Sequence, residues 1–333
     1  MKIKKNDKKE NKCFINDFIF KCFLLMFSLI ISYKNVDNFS YINNKIILDN
    51  NSKFAVIQKR TNFSPRGLMS YYYHNLGCSI EYINKGYIPI IDLASHPNMF
   101  NGFNSTKDKN PWEIFFYQPF NLTLKEVLNK GKNIQFIDCD MGKITPGFNI
   151  YYNNVLMNFW HNLAKIYMPI KEEFIREANA KYRYLFKRSN NVLGILLRGT
   201  DYTYRKPKGH PIQPSPEMVL EDIKNMDNKY KYKYIFLTTE DDLLRQKIIN
   251  KIGIKLKFLK SKININYDYK NKSFLATSKN IKGNMSFVKT YLFNIIILSK
   301  CLDVIVSRAG GSLVAFILTK GFRNIKAYNL GLY

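Results

Sequence analysis

Closely spaced cysteine pairs are missing from this chain of 333 residues. Its five cysteines, Cys13, Cys22, Cys78, Cys139 and Cys301, are scattered, odd in number and never in a C-x-x-C pair. Neither a disulfide framework nor a zinc site is indicated, and the thiols are expected to be reduced and buried. Histidine is equally sparse. His74, His96, His161 and His210 form no H-E-x-x-H or comparable ligand set, so no structural or catalytic metal is expected. The absence of G-x-x-x-x-G-K-[ST] excludes a Walker-type phosphate loop. Acidic residues are also few, 25 against 52 Lys and Arg, which leaves a formal net charge of +27. That excess would ordinarily raise nucleic acid as a partner. Here the lysines run through every segment, interleaved with Asn, Ile and Tyr, and no arginine-rich tract or zinc-finger spacing accompanies them, so no nucleic acid is expected. The charge suits anionic lipid headgroups and phosphorylated substrates instead.

What is present is enough apolar sequence for a folded core: 46% hydrophobic residues, 15% aromatics, and a length that suits two domains. Lys2, Lys4, Lys5, Lys8, Lys9 and Lys12 precede an apolar run from Phe18 to Tyr33, interrupted by Lys21, Ser28 and Ser32. The run falls short of the roughly 18–20 apolar residues that comfortably span a bilayer. It reads as a basic interfacial helix that holds the rest of the chain at the cytoplasmic face of an anionic membrane. The alternatives are a buried helix, or a short single-span signal-anchor that puts the rest of the chain on the far side. The expected organisation is a leader and linker over 1–52, an N-terminal Rossmann-like domain over 53–185, and a C-terminal one over 186–333. The sequons Asn104-Ser105-Thr106 and Asn121-Leu122-Thr123 are of the kind an asparagine-rich chain produces by chance.

From Lys53 the pattern alternates strand and helix. Phe54 to Gln58 reads as a strand, Ser64-Pro65-Arg66-Gly67 as a turn, Leu68 to Asn84 as a helix stopped by Gly86, and Tyr87 to Leu93 as a second strand, together a parallel crossover unit. Gln135 to Asp138 reads as a further strand and Tyr151 to Ala180 as helix, with Trp160 and Phe174 as core anchors. In the second half the predicted strands are Val192–Leu197, Tyr232–Thr238, Val304–Ser307 and Ile325–Tyr328. Between them lie helices over Pro216–Met226, Asp241–Ile252, Ser286–Cys301 and from Gly310 to Lys320. Two facing α/β domains with a cleft between them follow as the fold class.

Three strand ends in the second half carry polar groups: Arg198-Gly199-Thr200-Asp201, Thr238-Thr239-Glu240-Asp241, and Ser307-Arg308-Ala309-Gly310-Gly311-Ser312. Ligands of open α/β sheets bind beyond the carboxyl ends of such strands. Arg198 ends a buried run and offers permanently charged forked donors, suited to a phosphate or equally to an ion pair with Asp201. Gly310-Gly311 opens a helix whose amides can approach an anion closely. Glu240 and Asp241 either cap the next helix or bond a nucleoside. His210 is a candidate base or a loop residue that orients the chain. Of Tyr71, Tyr72 and Tyr73, at least one must be core and the others could stack on a sugar.

I-L-L-R-G-T-D-Y, then His210-Pro211-Ile212, F-L-T-T-E-D-D-L-L and L-S-K-C-L-D-V-I-V-S-R-A-G-G-S together resemble the three-motif pattern of the GDP-fucose-dependent fucosyltransferase superfamily. They are most similar to its α1,6-fucosyltransferase and nodulation branches, with the protein O-fucosyltransferases further off. S-P-R-G-L-M-S-Y-Y-Y-H-N-L-G is similar to the first loop of these enzymes, and N-P-W-E-I-F-F-Y-Q-P-F from Asn110 to a segment of bacterial relatives. The resemblance implies a GT-B fold and inverting, metal-independent transfer of a sugar, expected to be fucose from GDP-fucose, onto a glycan hydroxyl in surface polysaccharide or glycan synthesis. No cofactor is implied. By the same resemblance Arg198 holds the donor β-phosphate and Glu240 contacts the guanosine. Ser307 to Ser312, with Ser307, Gly310, Gly311 and Ser312 as named contacts, bind the pyrophosphate; Gly199, Thr239 and Asp241 complete the donor side, and Arg66 and Gly67 border the acceptor cleft. Two departures stand out. Leu196 occupies a position where the family usually has a guanine-reading His, and Lys206 one where the α1,6 enzymes have a candidate basic Glu. The acceptor base is therefore open among Asp201, His210 and Glu217. A non-catalytic sugar- or nucleotide-binding module that kept the fold is the alternative.

Overall fold

The computed structural model describes residues 41–42, 45–46, 51–58, 67–95, 110–139, 144–259 and 283–333. The basic apolar leader, the Asn104 sequon and Arg66 lie outside them. Two parallel sheets organise the chain, one in each half.

The first half begins with β1 (Phe54–Gln58), α1 (Leu68–Asn84) and β2 (Ile88–Ile91), the strand-helix-strand unit read from the sequence. Gly86 has φ +77°, the left-handed conformation that ends a helix at low steric cost. After α2 (Trp112–Phe115) and α3 (Leu124–Lys130) comes β3 (Ile134–Asp138), and the sheet order is β2-β1-β3, all parallel. β2 is an edge strand. At its last residue the side-chain amide of Gln118 takes the place of a neighbour: Ile91 N donates to Gln118 Oε1 at 2.8 Å, and Gln118 Nε2 donates to Ile91 O at 2.8 Å. Asn110 joins it, donating to Ile91 O at 2.6 Å and accepting from Leu93 N at 3.0 Å. Glu113 ties both amides to Leu124 N. The N-P-W-E-I-F-F-Y-Q-P-F stretch is thus, in its polar residues, an edge seal.

Helix does form over most of Tyr151 to Ala180, in two pieces. Phe148–Tyr152 makes a 3₁₀ turn, α4 runs Asn154–Tyr167, and α5 runs Glu172–Phe186. Pro169 causes the break, because it cannot donate to an i−4 carbonyl and it disfavours helical geometry at Met168. Trp160 and Phe174 are buried core residues, as expected.

The second half contains β4 (Val192–Leu196), α6 (Thr200–Arg205), α7 (Pro216–Tyr230), β5 (Tyr234–Thr238), α8 (Asp242–Ile252) and β6 (Leu256–Lys257). It continues with α9 (Met285–Leu298), β7 (Asp303–Ser307), α10 (Gly310–Leu318) and β8 (Asn324–Tyr328). The order β8-β7-β4-β5-β6 is parallel throughout and puts the ends of β4, β5 and β7 side by side. Every residue of β4 and β7 is buried, in keeping with the apolar run of β4 and with the three apolar residues between Asp303 and Ser307 in β7.

One core cluster joins the halves, from Leu68 and Tyr72 on α1 through Trp160 and Phe174 to Leu292 and Phe316. Each fully buried side chain of this size contributes about 1.5–3 kcal/mol. A second cluster lies between the other face of the larger sheet and α7 and α8, with Val219, Ile223, Ile235 and Ile248.

The cysteines correct the sequence reading. Cys78 on α1 and Cys139, just after β3, form a disulfide with 6.3 Å between Cα atoms, and Cys301 is free and buried. Local spacing could not show a pair 61 residues apart that is brought together by packing of a helix on a sheet. Among the described residues, no helix is long and apolar enough to cross a membrane.

Candidate functional site

The chain leaves β4 through Leu197, whose amide still bonds Thr238 O, and turns at Arg198, whose amide donates to Ser307 Oγ at 3.1 Å. This one turn is therefore fastened to both neighbouring strand ends. Gly199 is required by contact: a Cβ there would lie 2.4 Å from Asp241 Cβ. Thr200 follows at φ +41°, a strained conformation for a β-branched residue that costs about 1–3 kcal/mol. Two acidic residues of the neighbouring strand end hold it. Thr200 N donates to Asp241 Oδ2 at 3.0 Å and Thr200 Oγ1 to Glu240 Oε1 at 3.0 Å, while Gly199 N donates to the same Glu240 oxygen at 2.9 Å.

The Arg198 guanidinium sits above this turn. Nη2 bonds Asp201 Oδ1 at 2.8 Å, Nη1 lies 3.3 Å from Glu240 Oε1, and the Tyr202 ring is 5.0 Å from Cζ. Burial works against its charge, but Glu240 and Asp201 more than offset this and raise its pKa, so the arginine stays cationic. Burial raises the Glu240 carboxyl above its ordinary range, with Arg198 pulling it down and Asp201 pushing it up. The Tyr202 phenol is pushed up to about 12 by burial, against the pull of Arg198.

These groups border a cavity of about 170 Å³. Arg198, Thr239 and Glu240 line it from the β4 and β5 ends, Gly310 and Gly311 from the start of α10, and Gly67 to Ser70 from the start of α1. Both helix starts lack a side-chain cap, so their first-turn amides and positive dipole ends converge on the same space. Gly311 must lack a side chain, because a Cβ would lie 2.6 Å from the Tyr291 hydroxyl. The arrangement suits an anion held by amides and a guanidinium.

Several expected contacts point elsewhere. Ser312 is fully buried and turned back: its Oγ lies 2.6 Å from Ser307 O, 2.8 Å from Ala309 O and 2.7 Å from Tyr151 Oη, and it accepts from Ala309 N. Ser307 Oγ is the acceptor for Arg198 N. Asp241 caps α8 through Leu244 N with one oxygen and holds Thr200 N with the other. Gly199, Asp201, Asp241, Ser307 and Ser312 shape the turns without lining the cavity. His210 also stays outside its wall, with its ring 5.0 Å from that of Tyr202. Its loop is clamped to the last residue, Gly209 N to Tyr333 O and Tyr333 N to His210 O, each at 3.0 Å. Burial lowers its pKa, while Asp201 raises it and Arg198 lowers it further. Glu217 is exposed in the first turn of α7. Tyr71 and Tyr72 are core residues, and Tyr73 is the partly buried one, 3.3 Å through its Cε1 from where a Gly310 Cβ would stand.

Other lining residues carried no motif. Phe287, Thr290, Tyr291 and Asn294 present one face of α9 at positions i, i+3, i+4 and i+7. Asn294 Oδ1 is buried with no hydrogen-bond partner among the described residues. Thr290 and Asn294, two polar residues one turn apart in a helix that is apolar over most of its length, were the available signal. Arg245, one turn into α8, also lines the wall.

No family model and no curated protein matches the chain. Solved structures do. The chain is similar to NodZ alpha-1,6-fucosyltransferase soaked with GDP-fucose, at 12% identity over 80% of this chain and 93% of that one, with a TM-score of 0.47. It is similar to fucosyltransferase NodZ from Bradyrhizobium at 13% identity over 80% and 94%, also with a TM-score of 0.47. POFUT1 in complex with GDP-fucose aligns at 11% identity over 83% of this chain and 73% of that one, with a TM-score of 0.39. The chain is thus similar in structure to solved fucosyltransferases, at an identity and TM-score that assign no chemistry to its residues.

Proposed function

We propose that the protein is an inverting glycosyltransferase that binds a nucleoside diphosphate sugar, GDP-fucose in the first instance, at the cavity between β4, β5, α10 and α1. The observation that carries this reading is the convergence on one cavity of the Arg198 guanidinium and the uncapped amide ends of two helices. The sequence resemblance through Arg198, Glu240 and Gly310-Gly311 supplies the donor class.

In the reaction, an acceptor hydroxyl oxygen bonds to the anomeric carbon as the bond from that carbon to the β-phosphate oxygen breaks, with inversion. The electron pair leaves with the diphosphate. Arg198 and the amides of Gly310 and Gly311 stabilise the growing negative charge, the kind of preorganised term that is worth about 10²- to 10³-fold per donor. The hydroxyl proton goes to a base. Asp201 is engaged by Arg198, Glu217 faces solvent and His210 stands outside the cavity wall, so the base stays open among these three. On this reading residues 186–333 bind the donor, 53–185 face the acceptor with Arg66 and Gly67 at the cleft, and the product belongs to surface polysaccharide or glycan synthesis.

The leader is proposed to bring this unit to an anionic membrane. The Cys78–Cys139 disulfide favours the single-span arrangement, with the folded part in an oxidising compartment, over the cytoplasmic-face one.

Thermal-shift titration of the chain against GDP, UDP, CDP and dTDP sugars, followed by transfer to a glycan panel, tests the reading. Stabilisation by GDP-fucose with release of GDP on transfer is expected. Preference for a uridine donor removes fucose, and indifference to all four removes the transferase.

A further inference from the structure

Arg198 does not meet the cavity as a free cation. Its guanidinium lies between Asp201 Oδ1 at 2.8 Å and Glu240 Oε1 at 3.3 Å, one positive charge between two negative ones. A diphosphate brought to this spot would meet a side-chain cluster whose formal sum is minus one. The two helix ends offer roughly half a positive charge each, which offsets that excess without providing for the ligand.

Among the described residues, the charged ones lining the cavity are Arg198, Glu240 and Arg245. Arg245 Nη2 donates to Thr239 O at 2.9 Å, so it flanks the same turn that Arg198 reaches through Glu240. Its ion pair, with Asp242, is to a carboxylate whose side chain is 43% exposed, whereas Asp201 is 5% exposed. Solvent screens Asp242 far more than Asp201, so more of the charge of Arg245 is felt inside the cavity. Its guanidinium lies 5.6 Å from the Phe258 ring, and among the described residues two of its five N–H donors are engaged, by Asp242 and Thr239.

We infer that Arg245 is a second phosphate-binding residue of the donor site, the cation that lets a nucleoside diphosphate enter beside an arginine already matched by two carboxylates. The inference rests on the donor reading above and adds a residue that no motif marked. Arg245 binds and positions the diphosphate, and it makes or breaks no bond.

Calorimetric titration of the full chain with GDP and UDP, and with guanosine and uridine as phosphate-free probes, tests it. For Arg245→Gln the diphosphate Kd is expected to rise about 10- to 100-fold, the range of a charge-assisted hydrogen bond. The nucleoside Kd should stay put, and Arg245→Lys should recover part of the loss. Asp242→Asn, which unfastens Arg245, should tighten diphosphate binding by about 2- to 5-fold. Unchanged diphosphate affinity in Arg245→Gln, or an equal loss for the nucleoside, overturns the inference while leaving the donor reading in place. Wild-type protein that binds neither GDP nor UDP overturns the donor reading itself, and this inference with it.

Discussion

The two ends of the larger sheet each bury a carboxylate against an arginine, and they do so for different ends. Where β7 starts, Asp303 is fully buried and takes Arg323 Nε at 3.1 Å and Nη2 at 2.5 Å, Tyr232 Oη, Asn324 N at 2.8 Å and Asn324 Nδ2 at 3.0 Å. Its acceptor sites are filled and its pKa is lowered, because the hydrogen bonds from Arg323, Tyr232 and Asn324 outweigh the cost of burial. This cluster ties β8 and the end of α7 to β7. At the other end Arg198 is also paired, but on a strained turn beside two glycines and a cavity. A saturated cluster is a staple; one that borders a cavity is a candidate site.

Arg198→Lys should separate the two most clearly. It keeps the charge but loses the fork, and turnover is expected to fall by about 10²- to 10³-fold with little change in melting. Asp303→Ala should do the reverse. It leaves Tyr232, Asn324 and Arg323 without their acceptor and is expected to cost about 3 kcal/mol of stability, read by denaturant unfolding, while the folded fraction binds nucleotide normally. A mutant pair in which both properties fall together would erase the distinction.

Gly311→Ala sits between these extremes, since the added methyl group would meet the Tyr291 hydroxyl inside the cavity wall. A loss of about 1–3 kcal/mol, with weakened GDP binding, is expected. Trimming Tyr291 to Phe in the same chain should return much of both, and no return would place the fault elsewhere.

The smallest effect is a pH dependence. Burial raises Glu240 above the usual carboxylate range, so it takes up a proton earlier than a free glutamate as pH falls. Protonation removes one negative charge beside Arg198, and diphosphate binding should therefore tighten as pH falls through the raised Glu240 value. The sign for folding is matched. A carboxyl whose folded pKa is raised favours the native state below the unfolded pKa, and this contribution is lost as pH rises through the folded value. Binding that weakens on acidification would place Glu240 outside the phosphate environment.

Much of the fold was legible because hydrophobic period and turn chemistry agree. Leu68–Asn84 follows from helical spacing ahead of Gly86, and β4, β5 and β7 follow from apolar runs that end in polar turns, whereas their adjacency is a matter of the sheet order. Helix over Tyr151 to Ala180 was also legible, but its break at Pro169 was obscured by the apolar spacing on both sides. The disulfide and the α9 face were hidden for one reason: each depends on which elements pack together, and no local spacing encodes that. Within the candidate site, the glycines and Arg198 could be singled out from the sequence because each stands in a strand-end turn, a local feature. Ser312 was misleading, since a serine after two glycines can face a ligand or fold back on its own turn, and here Tyr151, Ser307 and Ala309 draw it inward.

The most direct test is a crystal structure of the chain with GDP. The account predicts the diphosphate within hydrogen-bond distance of the Arg198 guanidinium and of the amides of Gly310 and Gly311, with the nucleoside running along the Phe287–Asn294 face of α9. A diphosphate bound away from Arg198, with that residue still held by Asp201 and Glu240 alone, would contradict it.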